Sequence, residues 1–207
     1  MVTISRNLRR LVYLISPNKI NPNFYLELNK VLASKKVFFF QLRLKNKPLN
    51  EIVQIGKKVK IITQRHNVKL IVNDSSLIAK KIKADGCHLG QKDDSVKLAR
   101  KNIKKKIIGI TCHNSRVFAL KASKDDVDYL AFGSFFKSNL KPNTKKADLK
   151  ILHWAKKNIK KPIIAIGGIT DKNYKKLIKA GANYIALSTF IWNNPFFRPE
   201  VAIKKFK

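Results

Sequence analysis

Acidic residues are scarce in this 207-residue chain: 12 Asp and Glu stand against 45 Lys and Arg, a formal net charge of +33. Such an excess can mark a nucleic-acid or anionic-membrane partner, because lysine and arginine neutralise phosphates. The distribution argues otherwise. Lysines recur on nearly every predicted helix, as at Lys57, Lys58 and Lys60, Lys104 to Lys106, and Lys175 with Lys176, and are not gathered with aromatics into one reading surface. A solvated coat is expected, with a coding bias towards A and T as its source, since Ile, Asn and Phe are abundant too. Cysteine is nearly absent. Cys87 and Cys112 fall in predicted strands, and no CxxC or Cys/His spacing accompanies them, which excludes a disulfide framework and a zinc ribbon. Both are expected to be reduced core thiols of a cytoplasmic protein. No stretch approaches the roughly 20 apolar residues of a membrane span. The basic start (Arg6, Arg9, Arg10) leads into an apolar run, 11–15, too short for a signal-peptide core, with no small-residue cleavage site after it.

Linkers and low-complexity segments are also lacking, so one domain spanning 1–207 is expected. What is present is 44% hydrophobic residues, arranged as short apolar runs of strand length alternating with longer amphipathic runs. That is the signature of βαβ units and a parallel sheet. Eight strands are predicted, at 11–16, 37–44, 69–73, 86–89, 107–111, 129–133, 163–167 and 184–188, which makes the chain an α/β protein with a single (β/α)8 barrel. Ile52, Ile55, Val59 and Ile62 recur at helical spacing and predict a crossover helix packed on the barrel wall. A later helix is expected over 171–180, between Thr170 as N-cap and Gly181 as C-cap. The longest irregular stretch, 137–146, follows strand six and is a candidate lid.

Barrel active sites form at the C-terminal ends of the strands, so polar residues there are candidates before their chemistry is weighed. On strand two, the period of two puts Gln41, Arg43 and Lys45 on one side and Leu42 and Leu44 on the other. Two cations and an amide suit a polyanion such as diphosphate; an ordinary solvent-facing strand end is the alternative. Strand three ends Asn73-Asp74, and strand four runs into Gly90-Gln91-Lys92-Asp93-Asp94. Carboxylates at adjacent strand ends can share one magnesium ion, which takes one or two protein carboxylates and fills its shell with water and phosphate oxygens. Alternatively, Asp74 and Asp93 or Asp94 are helix N-caps. Strand seven runs into Gly167-Gly168-Ile169-Thr170 and strand eight into Ser188-Thr189, which matches the phosphate cradle of many barrels or a turn needed only for backbone geometry. His66 and His153 lie on predicted helices and read as surface residues. His88 and His113 are at strand ends with no serine or cysteine nucleophile spaced to either, so they read as site-shaping.

Gln41-x-Arg43-x-Lys45, Val72-Asn73-Asp74, the string Ala84-Asp85-Gly86-Cys87-His88-Leu89-Gly90-Gln91-Lys92-Asp93, Gly109-Ile110-Thr111-x-His113 and Ala165-Ile166-Gly167-Gly168-Ile169-Thr170 occur in that order. Together they resemble the thiamine phosphate synthase/TenI family over about 37–189. The resemblance implies a magnesium-dependent transferase that joins a hydroxymethylpyrimidine diphosphate to a thiazole phosphate, diphosphate leaving first and the thiazole nitrogen capturing the resulting cation. It implies that Gln41, Arg43, Lys45 and Asn73 hold the pyrimidine diphosphate and that Asp74 and Asp93 bind Mg2+. It implies further that Thr111, where the family usually has serine, contacts the pyrimidine, and that Gly168, Ser188 and Thr189 cradle the thiazole phosphate. An ungapped reading of the loop puts Lys141 at the family's diphosphate-binding lysine and Ser138 with Leu140 where a Thr-x-Thr usually meets the thiazole phosphate; Lys145 is the lysine if the loop is gapped. Arg43, Lys45 and Lys141, with the metal, are the groups expected to neutralise the departing diphosphate. Leu44 and Leu140 depart from the family pattern. Small phosphorylated molecules are the implied partners.

Two other readings stay open at the level of sequence. The thiazole tautomerase branch of the same fold has a histidine after the strand-six glycine, where this chain has Ser134 after Gly133. A barrel that binds phosphorylated ligands or RNA without catalysis is the third.

Overall fold

The computed structural model describes residues 10–136 and 146–207. Strands and helices alternate in the order β1 (Val12–Ile15), α1 (Phe24–Ala33), β2 (Val37–Leu42), α2 (Leu49–Arg65), β3 (Lys69–Asn73), α3 (Ser76–Ile82), β4 (Gly86–Leu89), α4 (Val96–Ile103) and β5 (Ile107–His113). They continue as α5 (Arg116–Lys124), β6 (Tyr129–Gly133), α6 (Leu149–Asn158), β7 (Ile163–Ile166), α7 (Tyr174–Ala180), β8 (Tyr184–Leu187), α8 (Thr189–Trp192) and α9 (Pro199–Ala202), with a 3-10 turn at Ile203–Lys205. Each strand pairs in parallel with its sequence neighbours, and β8 pairs with β1, closing the barrel. All eight predicted strands are present, each within two residues of its expected ends.

Alternation along the strands sorts the core into two layers. Tyr13, Phe39, Ile71, Ile107, Tyr129, Ile164 and Tyr184 form a buried cluster that fills the barrel. The alternate set, including Leu14, Phe40, Leu70 and Leu130, packs outward against helix residues such as Leu28, Val59 and Ala79. On α2, Val59 is fully buried, while Ile52, Ile55 and Ile62 pack half-buried against this layer, as their spacing predicts. Gly56 lies on the same helix, and a Cβ there would stand 2.3 Å from Ile82 Cδ1 and 3.2 Å from Leu42 Cδ2. Glycine is what lets α2 approach so closely.

Three differences from the sequence reading have local causes. β2 ends at Leu42 because Arg43 leaves the ladder: its N–H donates 3.0 Å to the Ser16 hydroxyl, which donates 3.3 Å to the Arg43 carbonyl. β5 continues through His113 past a register shift between Thr111 and His113. α7 begins three residues later than expected, and Thr170 is not its N-cap. Residues 171–173 form a turn, with the Asn173 side chain accepting from the Thr170 N–H at 2.8 Å and donating to the Gly168 carbonyl at 3.0 Å. The helix does end at Gly181, whose φ of +123° lies where glycine is favoured.

Candidate active site at the C-terminal rim of the barrel

Because the strands are all parallel, their C-terminal ends form one rim, where the βα loops meet. At the end of β2, Leu42 and Leu44 are buried and Arg43 is half-exposed, with Lys45 in solvent. Exposure thus alternates from Leu42 to Lys45. Gln41 sits one layer deeper than its two cationic partners: it is 3% exposed, and its amide nitrogen donates 2.9 Å to the Tyr13 hydroxyl. The loop after β1 holds this strand end in place, through Ser16 on Arg43 and through Asn18, whose side-chain oxygen accepts from the Lys45 N–H at 3.0 Å.

Next along the rim, Asn73 closes β3 half-buried and Asp74 follows at φ +66°, a left-handed conformation that aspartate tolerates better than most residues. Its N–H donates 2.8 Å to the His88 carbonyl on β4. Neither Asp74 nor Asp93 caps a helix. The caps are Ser75 for α3 and Ser95 for α4, accepting from Ile78 and Leu98 N–H groups. Asp94 has a different task, accepting from both the N–H and the hydroxyl of Ser76 at 2.9 and 2.5 Å, which pins the β4–α4 loop to the first turn of α3.

That leaves Asp74 and Asp93 for the site. The Asp74 carboxylate pairs with the Lys45 ammonium. Asp93 accepts from the Gly90 N–H at 2.6 Å and lies beside Asp74. Burial, with the adjacent Asp74 carboxylate adding to it, pushes the Asp93 carboxyl above its ordinary range, while the Gly90 N–H and Lys45 pull the other way. Two carboxylates crowded against one another with a single lysine between the strand ends are short of positive charge. Among the described residues there is no group of three or more His, Cys, Asp or Glu able to hold a metal by protein ligands alone. The donor set fits a hard divalent cation that draws the rest of its shell from water and substrate oxygens.

In an eight-stranded barrel the ends of β7 and β8 face those of β3 and β4 across the mouth. Gly167 and Gly168 have φ of +106° and +60°, and a Cβ on Gly167 would lie 1.9 Å from the Ser134 hydroxyl oxygen. Asn173 holds this turn closed. Ser188 donates 3.3 Å to the Ser16 carbonyl, and the Ile191 and Trp192 N–H groups close the first turn of α8 onto the Ser188 carbonyl. Gly168 follows β7, and Ser188 with Thr189 follows its neighbour β8. The Ser138 and Lys141 positions, with Leu140 and Lys145, lie outside the described residues, as does nearly all of the candidate lid.

Thr111 is half-buried on β5, two residues before its end, its hydroxyl 2.8 Å from His88 Nε2 and its carbonyl accepting 2.7 Å from the Gln91 side chain. His88, 7% exposed, lies against the Tyr129 ring and places Nδ1 2.9 Å from its hydroxyl. Tyr13, Tyr129 and Gln91 were not singled out by sequence reasoning. Inward parity on β1 and β6 was the available signal for the tyrosines; it gives a side of the sheet but no partner across the barrel.

A closed parallel barrel with crowded carboxylates and cations on one side of its rim and a double-glycine turn on the other is the build of an enzyme for small phosphorylated molecules. The sequence profile of thiamine monophosphate synthase matches residues 12–191, and the chain belongs to that family, known as TMP-TenI. It is 53% identical to the thiamine-phosphate synthase of Pelagibacter ubique over 201 residues, covering 96% of this chain and 97% of the relative. With the thiamine-phosphate synthase of Erythrobacter litoralis it shares 39% over 187 residues, 88% of each chain. Among solved structures, thiamine phosphate pyrophosphorylase from Pyrococcus furiosus superposes with a TM-score of 0.86 at 27% identity, over 97% of this chain and 95% of that one.

Proposed function

We propose that this chain is a thiamine phosphate synthase, coupling 4-amino-2-methyl-5-hydroxymethylpyrimidine diphosphate to a thiazole phosphate with release of diphosphate. The meeting of Lys45, Asp74 and Asp93 at one strand-end cluster is the observation that carries this reading, and the names and coverage of the relatives support it. In the reaction, the bond from the pyrimidine methylene to the diphosphate oxygen breaks and one from that carbon to the thiazole nitrogen forms. The nitrogen attacks with its own lone pair, so no general base is required. Asp74 and Asp93 would hold Mg2+, which when bound would neutralise charge growing on the departing diphosphate. Arg43 and Lys45 bind the diphosphate oxygens from β2, joined by Lys141 from the loop after β6; these are the catalytic cations. Asn73 and Gln41 orient the pyrimidine diphosphate, Thr111 contacts the pyrimidine, and Gly168, Ser188 and Thr189, with Ser138, receive the thiazole phosphate. The single barrel, 1–207, acts as one domain in the cytoplasm, where Cys87 and Cys112, both fully buried and with thiols pushed up to about 12 by burial, stay reduced.

The test combines purified protein, both substrates and Mg2+. Thiamine phosphate is expected, Asp93→Asn is expected to lose on the order of a hundredfold or more in turnover, and Mg2+ should raise the melting temperature of the parent but not of the variant. Unchanged turnover and unchanged Mg2+ response in Asp93→Asn would remove the metal assignment.

A further inference from the structure

A continuous hydrogen-bonded chain crosses the barrel interior below the rim. The Gln41 amide nitrogen lies 2.9 Å from the Tyr13 hydroxyl, which is 2.8 Å from the Tyr129 hydroxyl, which is 2.9 Å from His88 Nδ1; His88 Nε2 is 2.8 Å from the Thr111 hydroxyl. Five side chains from β2, β1, β6, β4 and β5 take part, and Gln41, Tyr13, Tyr129 and His88 are all buried. Glycine at 109 makes room for it: a Cβ there would stand 1.9 Å from Tyr129 Cζ.

Either phenol can donate in the Tyr13–Tyr129 bond, and the roles of the His88 nitrogens follow its tautomer; one direction has every hydroxyl of the chain both accept and donate. An amide nitrogen donates and does not accept, so Tyr13 accepts from Gln41 and in this direction gives its one proton to Tyr129. Tyr129, having accepted, donates to His88 Nδ1. An imidazole that accepts at Nδ1 carries its ring proton on Nε2 and donates it to Thr111. Thr111 has then accepted inside the barrel, and its own proton is directed outward. Burial raises both phenols well above their usual range and keeps each supplied with the proton it passes on.

We propose that Gln41, Tyr13, Tyr129 and His88 act as a polarity-setting relay that makes the Thr111 hydroxyl a hydrogen-bond donor towards an acceptor atom of the pyrimidine substrate. The substrate half rests on the function proposed above; the relay half does not. Tyr13, Tyr129 and His88 are positioning residues, acting through Thr111.

Nitrogen-15 NMR on the intact protein tests the relay without substrate. His88 is expected as the Nε2–H tautomer; an Nδ1–H tautomer or an imidazolium at neutral pH would overturn it. Tyr13→Phe keeps the ring and removes the link to Gln41. It should leave a mixture of His88 tautomers and raise KM for the pyrimidine diphosphate about tenfold, with kcat and KM for the thiazole phosphate little changed. Thr111→Ser should retain parental KM and Thr111→Val should match the Tyr13→Phe loss. An active protein in which Tyr13→Phe changes neither tautomer nor KM sinks the proposal. A parent with the Nε2–H tautomer but no thiamine phosphate formation sinks the substrate half alone.

Discussion

At the scale of single residues, Gly109 shows how a small side chain serves the site from beneath. Tyr129 is fully buried between Tyr13, Phe39 and His88, and its ring fills the space above Gly109 that any Cβ would enter. The obstacle is the rigid end of a packed aromatic with no solvent-filled room behind it, so the ring or the strand must shift. Overpacking of a tight core costs about 1–3 kcal/mol, and the displaced hydroxyl would also lose His88. Gly109→Ala should therefore lower the unfolding free energy read from a urea titration by that amount and raise KM for the pyrimidine diphosphate. A variant as stable as the parent, with unchanged KM, would show that the ring has slack. Gly109 was visible in the sequence as part of the Gly-Ile-Thr string at the end of a strand, but the reason for it was not, because Tyr129 approaches from the next strand.

At the scale of elements, the turn between β7 and α7 joins backbone shape to the phosphate role proposed for it. Gly167 and Gly168 adopt conformations open to glycine, and Asn173 spans the turn, accepting from Thr170 and donating to Gly168. Removing that side chain frees the Gly168 carbonyl and the Thr170 N–H without touching the carboxylate side of the mouth. Asn173→Ala should cost about 1 kcal/mol of stability and raise KM for the thiazole phosphate several-fold, while KM for the pyrimidine diphosphate stays near the parental value. Equal increases for both substrates would mean that the turn supports the whole rim and not one phosphate. The strands themselves were legible because each is a short apolar run, with parity giving its inward face; the start of α7 was not, because Thr170 makes a sound N-cap on local grounds, whereas residues 171–173 form a turn and the helix begins only at Tyr174. The same competition settles the acidic residues in the other direction. Asp74, Asp93 and Asp94 all pass as caps in sequence, yet Ser75 and Ser95 take the caps, which leaves Asp74 and Asp93 for the cluster with Lys45.

For the whole molecule, the governing quantity is the charge of +33. The ion pairs among the described residues, Lys45–Asp74, Lys47–Glu51, Lys60–Asp85 and Arg100 with Asp126 and Asp128, engage few of the 45 cations. The remainder repel one another across a surface tens of ångströms wide, a range that salt controls. Raising ionic strength from about 0.01 M to about 1 M shortens screening from about 30 Å to about 3 Å. Two effects oppose each other. Salt weakens surface ion pairs, worth about 0–1 kcal/mol each, and it relieves the repulsion of the unpaired majority, which destabilises a compact state of high net charge. With so few acids to pair, relief should win, and the melting temperature in potassium chloride should climb by several degrees over this range. A melting temperature that falls with salt would mean that the pairs outweigh the repulsion. The same coat bears on nucleic acid: lysines spread evenly over the helices neutralise phosphates without reading bases, so any affinity for RNA should vanish over the salt range that steadies the fold.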